Sequence, residues 1–138
     1  MRANVAVIKL LNDNAALSLR VGSRNYFGIV PQRTATPYTI TGVISDIPEQ
    51  TSGGQSGLVN AILQVTVYAD TAKDASDISD AVKLALDNKY GEYNGVTIHR
   101  ITRTDGGETP SAPVASGEKP LYGYYHEFEV PYEEAVPA

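Results

Sequence analysis

The sequence predicts an α+β domain of two layers, in which two helices pack on one face of a mainly antiparallel or mixed sheet of four to five strands. Apolar residues recur at helical spacing in two segments, and five other segments are rich in β-branched and aromatic residues. The strands are grouped rather than alternating regularly with helices, which is typical of α+β folds. The chain has 138 residues, of which 42% are hydrophobic. We therefore expect a single domain over residues 1–138 with a buried core.

The first helix is predicted over about Asn4 to Asn12, where apolar residues recur every three to four positions. A second turn is expected to carry it through Leu19, and Gly22 is expected to stop it, because glycine commonly follows the last helical residue.

The second helix is predicted to begin at Thr71. Asp74 stands three residues later, where a capping box carries a residue that can reach back to the helix start. Gly91 or Gly95 is expected to end the helix. The apolar stripe that faces the core is predicted to consist of Ala75, Ile78, Val82, Ala85 and Leu86.

The clearest strand is predicted over Leu58–Ala69, where apolar residues at alternate positions form one face. The last strand, Tyr122–Val130, is aromatic and alternates in the same way. The faces that should meet the core carry Ala61, Leu63, Val65 and Val67 in the first of these strands, and Tyr124, His126, Phe128 and Val130 in the second. The three remaining strands are predicted at Asn25–Val30, in the segment that opens at Pro37, and at Val96–Thr102.

Two long segments, 46–57 and 105–120, are rich in turn-forming residues and are predicted to be loops. Most connections in a compact domain have about 4–6 residues, so loops of this length are expected to be mobile in the free protein and to take part in binding. Residues 133–138 are expected to form a frayed C-terminus.

The distribution of charge argues against a general nucleic-acid binder. The net charge is −5, whereas binding to phosphates needs a basic surface. From Met1 to Ser45 the net charge is +4, with Asp13 the one acid, and from Asp46 to Ala138 it is −9. Opposite charge on the two halves is compatible with a contact between unlike surfaces, or with mixing of the halves in the folded domain. The longest charge-free stretch is too polar to span a bilayer, so we expect no membrane partner.

No set of residues typical of catalysis is present. The chain has no cysteine and two histidines, His99 and His126, both on predicted strands. They could bind a metal together with Glu127, but ordinary positions in a sheet are the favoured interpretation. The glycine-rich segments 52–57 and 104–108 lack the spacing of phosphate, nucleophile or calcium loops. We therefore expect no enzyme, no catalytic residue, no metal and no cofactor.

Several apolar and turn segments follow one another in a distinctive order. They are Val30-Pro31-Gln32, Pro37-Tyr38, and Gln64–Asp70 followed by Ala75, Ile78 and Val82. In this order the chain resembles the tail terminator proteins of long-tailed bacteriophages, also called tail completion or tail-to-head joining proteins. The resemblance covers about residues 4–132.

The resemblance implies a structural protein of the virion. Family members form a ring, generally a hexamer, on the head-proximal end of the tail tube, where the ring stops polymerisation and joins the tail to the head connector. The implied partners are other copies of the chain, the tail tube protein and the head connector or stopper protein. DNA is expected to pass through the channel without specific binding, and assembly is expected in the host cytoplasm. The alternatives are another neck or head-completion connector subunit, or a cytosolic binding module that is not an enzyme.

A ring of this kind requires contacts between neighbouring subunits. Bases of the first half are expected to meet acids of the second half, and late tyrosines are expected to supply apolar contact area. The candidate interface residues are Arg20, Arg24, Arg33, Asp77, Tyr122, Tyr124, Glu127 and Glu129.

Overall fold

The computed structural model describes residues 3–31, 34–51, 54–109 and 121–134. These residues form three helices and seven strands, which belong to a single mixed sheet. In chain order the elements are α1 (Ala3–Asp13), α2 (Ala15–Val21), β1 (Asn25–Phe27), β2 (Tyr38–Thr51), β3 (Gly54–Ala69), α3 (Ala72–Leu86), β4 (Gly91–Tyr93), β5 (Val96–Ile98), β6 (Thr102–Thr109) and β7 (Tyr122–Glu133).

The sheet is centred on β3 and β7, which pair antiparallel from Leu58 opposite Glu133 to Ala69 opposite Tyr122. On the other side of β3 lies β2, followed by the short parallel strand β1. On the other side of β7, β6 pairs with the first part of the strand and β5 with its end, and β4 follows β5. The predicted α+β class is therefore confirmed, with a mixed sheet.

The core lies between the helices and one face of this sheet, which we call the inner face. Alternate residues of β3 and β7 point inward because side chains alternate across a strand, and Leu63, Val65 and Phe128 have no exposed surface. The helices contribute Leu11 and Val82, which are equally buried. The alternation predicted for the two long strands is confirmed. The opposite face, which we call the outer face, carries polar, aromatic and apolar side chains.

Side-chain caps define where two of the helices begin. Thr71 Oγ1 accepts a hydrogen bond from the backbone N–H of Asp74 at 3.1 Å, so the predicted start of α3 is confirmed. Asn14 Oδ1 accepts from the N–H of Leu17 at 2.9 Å and begins α2. A cap of this kind satisfies one backbone donor that the first helical turn leaves open.

The counts of helices and strands predicted from the sequence were too low. The N-terminal helical segment is two helices, because Asn14 has an extended backbone and caps a new helix. The segment after α3 also contains more strands than expected. The helix ends at Leu86, and Asn94 and Gly95, both with positive φ, connect the hairpin β4–β5.

The predicted loop over 46–57 was wrong. Strand β2 continues to Thr51 and β3 begins at Gly54, so most of this segment is a long hairpin whose backbone hydrogen bonds override the turn-forming composition. In the segment 105–120, residues through Thr109 belong to β6, and residues 110–120 lie outside the described residues. At the C-terminus, Glu133 is the last residue of β7, and residues 135–138 lie outside the described residues.

Candidate interaction surfaces

The basic residues proposed from the sequence have different environments. Arg20 is exposed in the last turn of α2. Arg24 is partly buried, and its Nε donates a hydrogen bond to the carbonyl oxygen of Pro37 at 2.9 Å, which ties it to the start of β2. Arg33 lies outside the described residues. Of the two candidate arginines that the structure describes, Arg20 is therefore better placed to meet a partner than Arg24.

Asp77 already has basic neighbours within its own chain. Its carboxylate accepts a hydrogen bond from Lys73 Nζ at 3.0 Å, one helical turn away on α3. That hydrogen bond and the charge of Lys73 lower the pKa of Asp77, and Arg20 contributes in the same direction. Arg20 and Asp77 thus lie close enough on one protomer to attract each other, a pairing that the sequence analysis assigned to two neighbouring subunits.

The four candidate residues on β7 divide between the two faces of the sheet. Tyr122 and Tyr124 share the inner face with the core, and together with Ala72 and Glu108 they line a cavity of about 50 Å³ beside the start of α3. Glu127 and Glu129 alternate with the buried residues and lie on the outer face, half-buried. The structure therefore does not bring these four residues into one site.

An aromatic row crosses the outer face at one end of the sheet. The rings of Tyr26 and Tyr38 are 6.3 Å apart and nearly perpendicular, and those of Tyr38 and Tyr68 are 5.6 Å apart. Burial, and to a smaller extent Tyr68, raises the pKa of Tyr38. The row continues over Gly123, where an added Cβ would lie 3.0 Å from the Tyr68 ring. Such rows supply rigid contact area for a partner.

Acidic residues follow the aromatic row along the outer face. Asp105 lies directly opposite Glu127 across the β6–β7 pair, and Thr102 lies opposite Glu129. Carboxylates that face one another across a ladder repel each other. A basic partner surface would relieve this repulsion, so the outer face is suited to a partner with lysines or arginines.

A buried polar cluster on the inner face was not predicted from the sequence. Arg103 Nε donates to Nδ1 of His126 at 2.8 Å, and Nε2 of His126 donates to the carbonyl oxygen of Ser79 at 2.9 Å. His126 is 2% exposed. The cluster connects β6, β7 and α3, and alternation along β7 correctly predicted that His126 faces the core but could not identify its two partners.

The two histidines do not form a metal site. His126 lies within the core cluster. His99 lies beside the C-terminal end of β7, where its Nε2 is 3.3 Å from Glu133 Oε1. Glu127 is on the opposite face of the sheet from His126. The described residues contain no group of three metal-binding side chains. Within this part of the chain, the helices are also too short or too polar to cross a membrane.

An open edge of β2 forms an apolar surface that the sequence analysis did not single out. We call residues Gly42–Pro48 the β2 edge, because β1 pairs with β2 only through Thr41. Three large apolar side chains of this edge are exposed: Val43 (38%), Ile44 (52%) and Ile47 (62%). Ile44 is the extra residue of a β-bulge between Val43 and Ser45, which directs it away from the core.

A groove of about 460 Å³ runs beside α1 and is lined by Val5, Ile8, Lys9 and Asn94, among others. Its polar residues come mainly from one helix. Lys9 is paired with Asp13 at 2.8 Å, so the charges of these two side chains already offset each other.

The chain is similar to one known protein family and to solved structures. A family model described as "Tail completion protein gp17" matches residues 5–112. A search of the curated proteins gives no match. Among solved structures, a chain of the "Virion of native gene transfer agent (GTA) particle" is 18% identical, with a TM-score of 0.68 over 91% of this chain and 92% of the other. A second solved chain is 15% identical, with a TM-score of 0.53 over 98% of this chain and 95% of the other.

At these identities the likeness to the two solved chains concerns the fold, whereas the family model matches well over half of the sequence. The resemblance to tail completion proteins noted in the sequence is therefore confirmed. The chain belongs to the tail completion protein gp17 family, and is accordingly a structural protein of phage-type tails.

Proposed function

We propose that this chain completes the tail by forming a ring, expected to be a hexamer, on the head-proximal end of the tail tube. The ring stops polymerisation of the tube and joins the tail to the connector of the head. The observation that carries the proposal is the match to the tail completion family over residues 5–112.

The surfaces described above support this role. A ring subunit needs one contact with each neighbour, one with the tube and one with the connector, and each requires a distinct surface. The chain offers the aromatic and acidic outer face, the apolar β2 edge and the helical side that carries Arg20. Apolar burial would supply most of the binding energy, because exposed ion pairs contribute only about 0–1 kcal/mol each.

The charged candidate residues would orient the binding partners relative to one another. We propose that Arg20 and Asp77 contribute to one partner contact, and Glu127 and Glu129 to another. Arg24 and Arg33 belong to the same basic half, and Tyr122 and Tyr124 add apolar area. The role requires no cofactor and no catalysis, and DNA would pass through the channel without specific contacts.

The test is electron microscopy of growing tail tubes. The purified protein is added to polymerising tube protein of the same phage, and tube length and the structure at the tube ends are recorded. We expect rings with an open channel at one end of each tube and shorter tubes as the protein concentration rises. Rings that bind isolated head connectors but never tubes would identify a neck or head-completion subunit instead. Binding to neither would favour a separate binding module.

A matched pair of variants makes this test specific to the outer face. The double change Glu127→Lys and Glu129→Lys reverses two acids that are not in the core, and should weaken capping at least tenfold if this face meets a basic partner. The control is Asp13→Lys, which changes an exposed acid on α1, with 61% of its side chain exposed. Equal capping by the outer-face variant and the control would remove the outer face from the proposal.

A further inference from the structure

The β2 edge, Gly42–Pro48, exposes large apolar side chains, and its protection is limited to the bulge at Ile44, the acid Asp46 and Pro48 at its end. Among the residues that the structure describes, no strand pairs with this side of β2 beyond Thr41. Folded proteins commonly protect such edges with lysine or other charges. Here the one charged side chain, Asp46, accepts a hydrogen bond from Tyr132 Oη at 3.3 Å, and Ile44 and Ile47 are exposed beside it.

A second edge lies on the opposite side of the same part of the sheet, and no strand within residues 3–31, 34–51, 54–109 and 121–134 pairs with it. We call Thr102–Thr109, the side of β6 that faces away from β7, the β6 edge. The registers place Val43 opposite Leu63, Leu63 opposite Phe128, and Phe128 opposite Arg103. Strands β2, β3, β7 and β6 therefore form one row of four, about 14 Å wide at about 4.8 Å per strand spacing, with one open edge at each side.

The directions of the strands make these two edges compatible. Each neighbouring pair in the row is antiparallel, so β2 and β6 run in opposite directions. If a second copy is placed beside the first in the same orientation, its β2 lies antiparallel to the first copy's β6. This arrangement allows the antiparallel ladder, which is the slightly more stable type of pairing.

We propose that copies of this chain join edge to edge, with the β2 edge of one copy paired antiparallel to the β6 edge of the next. Ile44 and Ile47 are then covered by the neighbouring copy. The contact joins two unlike surfaces and can therefore repeat around a closed ring, in which both of these edges are paired in every copy. The proposal rests on the proposed function, because it names the two surfaces that form the ring.

Cross-linking tests the pairing directly, since the natural chain has no cysteine. Ser45 and Thr102 lie on the same level and the same face of the row, opposite Ile62 and Glu129 respectively. In a closed ring without axial rise, Ser45 of one copy therefore lies beside Thr102 of the next. The double variant Ser45→Cys and Thr102→Cys, treated with a short bismaleimide, should give a ladder of products up to the full ring.

Two controls accompany the double variant. Each single variant should give no ladder, because a ladder requires unlike residues to meet. The pair Leu19→Cys and Leu84→Cys places two thiols at exposed helical positions away from both edges and should also give no ladder. The proposal is overturned if the edge pair gives no ladder while wild-type rings are present, if the helical pair gives an equal ladder, or if one single variant forms abundant dimers.

A second experiment measures assembly without cross-linking. Ile47→Lys introduces the residue type that normally protects a strand edge, and should weaken self-association at least tenfold in sedimentation velocity. Leu84→Lys is the matched control, because Leu84 is 73% exposed on α3. Thermal unfolding should be unchanged in both variants. Equal association of Ile47→Lys and wild type contradicts the proposal.

The outcomes separate this inference from the proposed function. If the ladder forms but the protein does not end tail tubes, the edge pairing stands and the capping role fails. If the protein ends tubes but the edge pair forms no ladder, the capping role stands and the ring is built through other surfaces.

Discussion

Arg103 donates a hydrogen bond from Nε to Nδ1 of His126 at 2.8 Å, which requires Nδ1 to carry no proton. The other ring nitrogen donates to the Ser79 carbonyl oxygen at 2.9 Å, so the imidazole is neutral. Burial is the main cause that lowers the pKa of His126, and the cations Arg103 and Lys83 act in the same direction. The hydrogen bond to Ser79 and the carboxylate of Asp80 oppose them. Protonation would therefore place two positive groups in contact inside the domain.

This arrangement predicts a loss of stability in mild acid. Because the folded-state pKa of His126 is below its ordinary value of about 6.5, the unfolded chain binds the proton first as the pH falls. The contribution of neutral His126 should be complete above about pH 6.5 and should decrease as the pH falls toward the folded-state pKa. The measurement is the free energy of urea unfolding between neutral and mildly acidic pH.

Two variants isolate the histidine responsible. His126→Gln cannot titrate, so its stability should change less with pH over this range than that of wild type. His99→Gln makes the same substitution at an exposed histidine and is the control. If the free energy of unfolding of His126→Gln falls with pH as steeply as that of wild type, other titratable groups are responsible.

We predict that the hydrogen bond between Arg103 and His126 requires a glycine at position 106. A Cβ at this position would overlap Arg103 Nη2 and lie 3.0 Å from His126 Nδ1. Gly106→Ala should therefore displace the guanidinium and reduce the free energy of unfolding by about 1–3 kcal/mol. Gly107→Ala is the matched control, since its Cβ would make ordinary contacts of 3.5 Å or more with the Tyr125 ring. Equal effects of the two substitutions in urea unfolding would argue against a steric role for the cluster.

The cap at Thr71 predicts a measurable contribution to the stability of α3. Thr71→Ala removes the acceptor for the N–H of Asp74 and should lower the free energy of unfolding by about 0.5–2 kcal/mol. Thr71→Ser keeps the hydroxyl and should retain most of the stability. Chemical unfolding of the three proteins provides the measurement, and identical midpoints for Thr71→Ala and wild type would contradict the prediction.

Arg20 is predicted to accelerate assembly through its charge. Arg20→Glu should slow ring formation strongly at low salt and mildly at 1 M salt, where the Debye length falls to about 3 Å. Folding should be unaffected because Arg20 is exposed. Arg100→Glu makes the same charge change at another exposed position and is the control. Time-resolved light scattering gives the rates, and a salt-independent effect of Arg20→Glu would exclude steering.

The sequence predicted those parts of the fold in which one pattern dominates. The alternation in β3 and β7 and the capped start of α3 were predicted correctly, because burial of one face and a local hydrogen bond determine them. The continuation of β2 and β3 through 46–57 was not predicted, since pairing between two strands can override the turn propensity of each. Asn94 and Gly95 form a typical hairpin signal, but Gly95 was interpreted, with Gly91 as the alternative, as the end of the second helix.

The candidate surfaces were harder to predict because they depend on which residues meet across the fold. Glu127 and Glu129 were grouped with Tyr122 and Tyr124, although the sheet separates them onto two faces. Arg24 carries a charge that the sequence shows, but its hydrogen bond to Pro37 depends on the position of β2. The exposed edge at Ile44 and Ile47 follows from the short length of β1, which no pattern within β2 indicates.

The central position of β7 has a consequence for synthesis of the protein. This strand pairs with β3, β5 and β6, yet it is the last element in the described part of the chain. While the chain emerges from the ribosome, one edge of β3 stays unpaired until Tyr122–Glu133 is made. Nascent chains with unpaired edges are prone to aggregation. A chain that ends before Tyr122 would therefore have an incomplete sheet. Synthesis of the whole of β7 is required before a subunit can assemble.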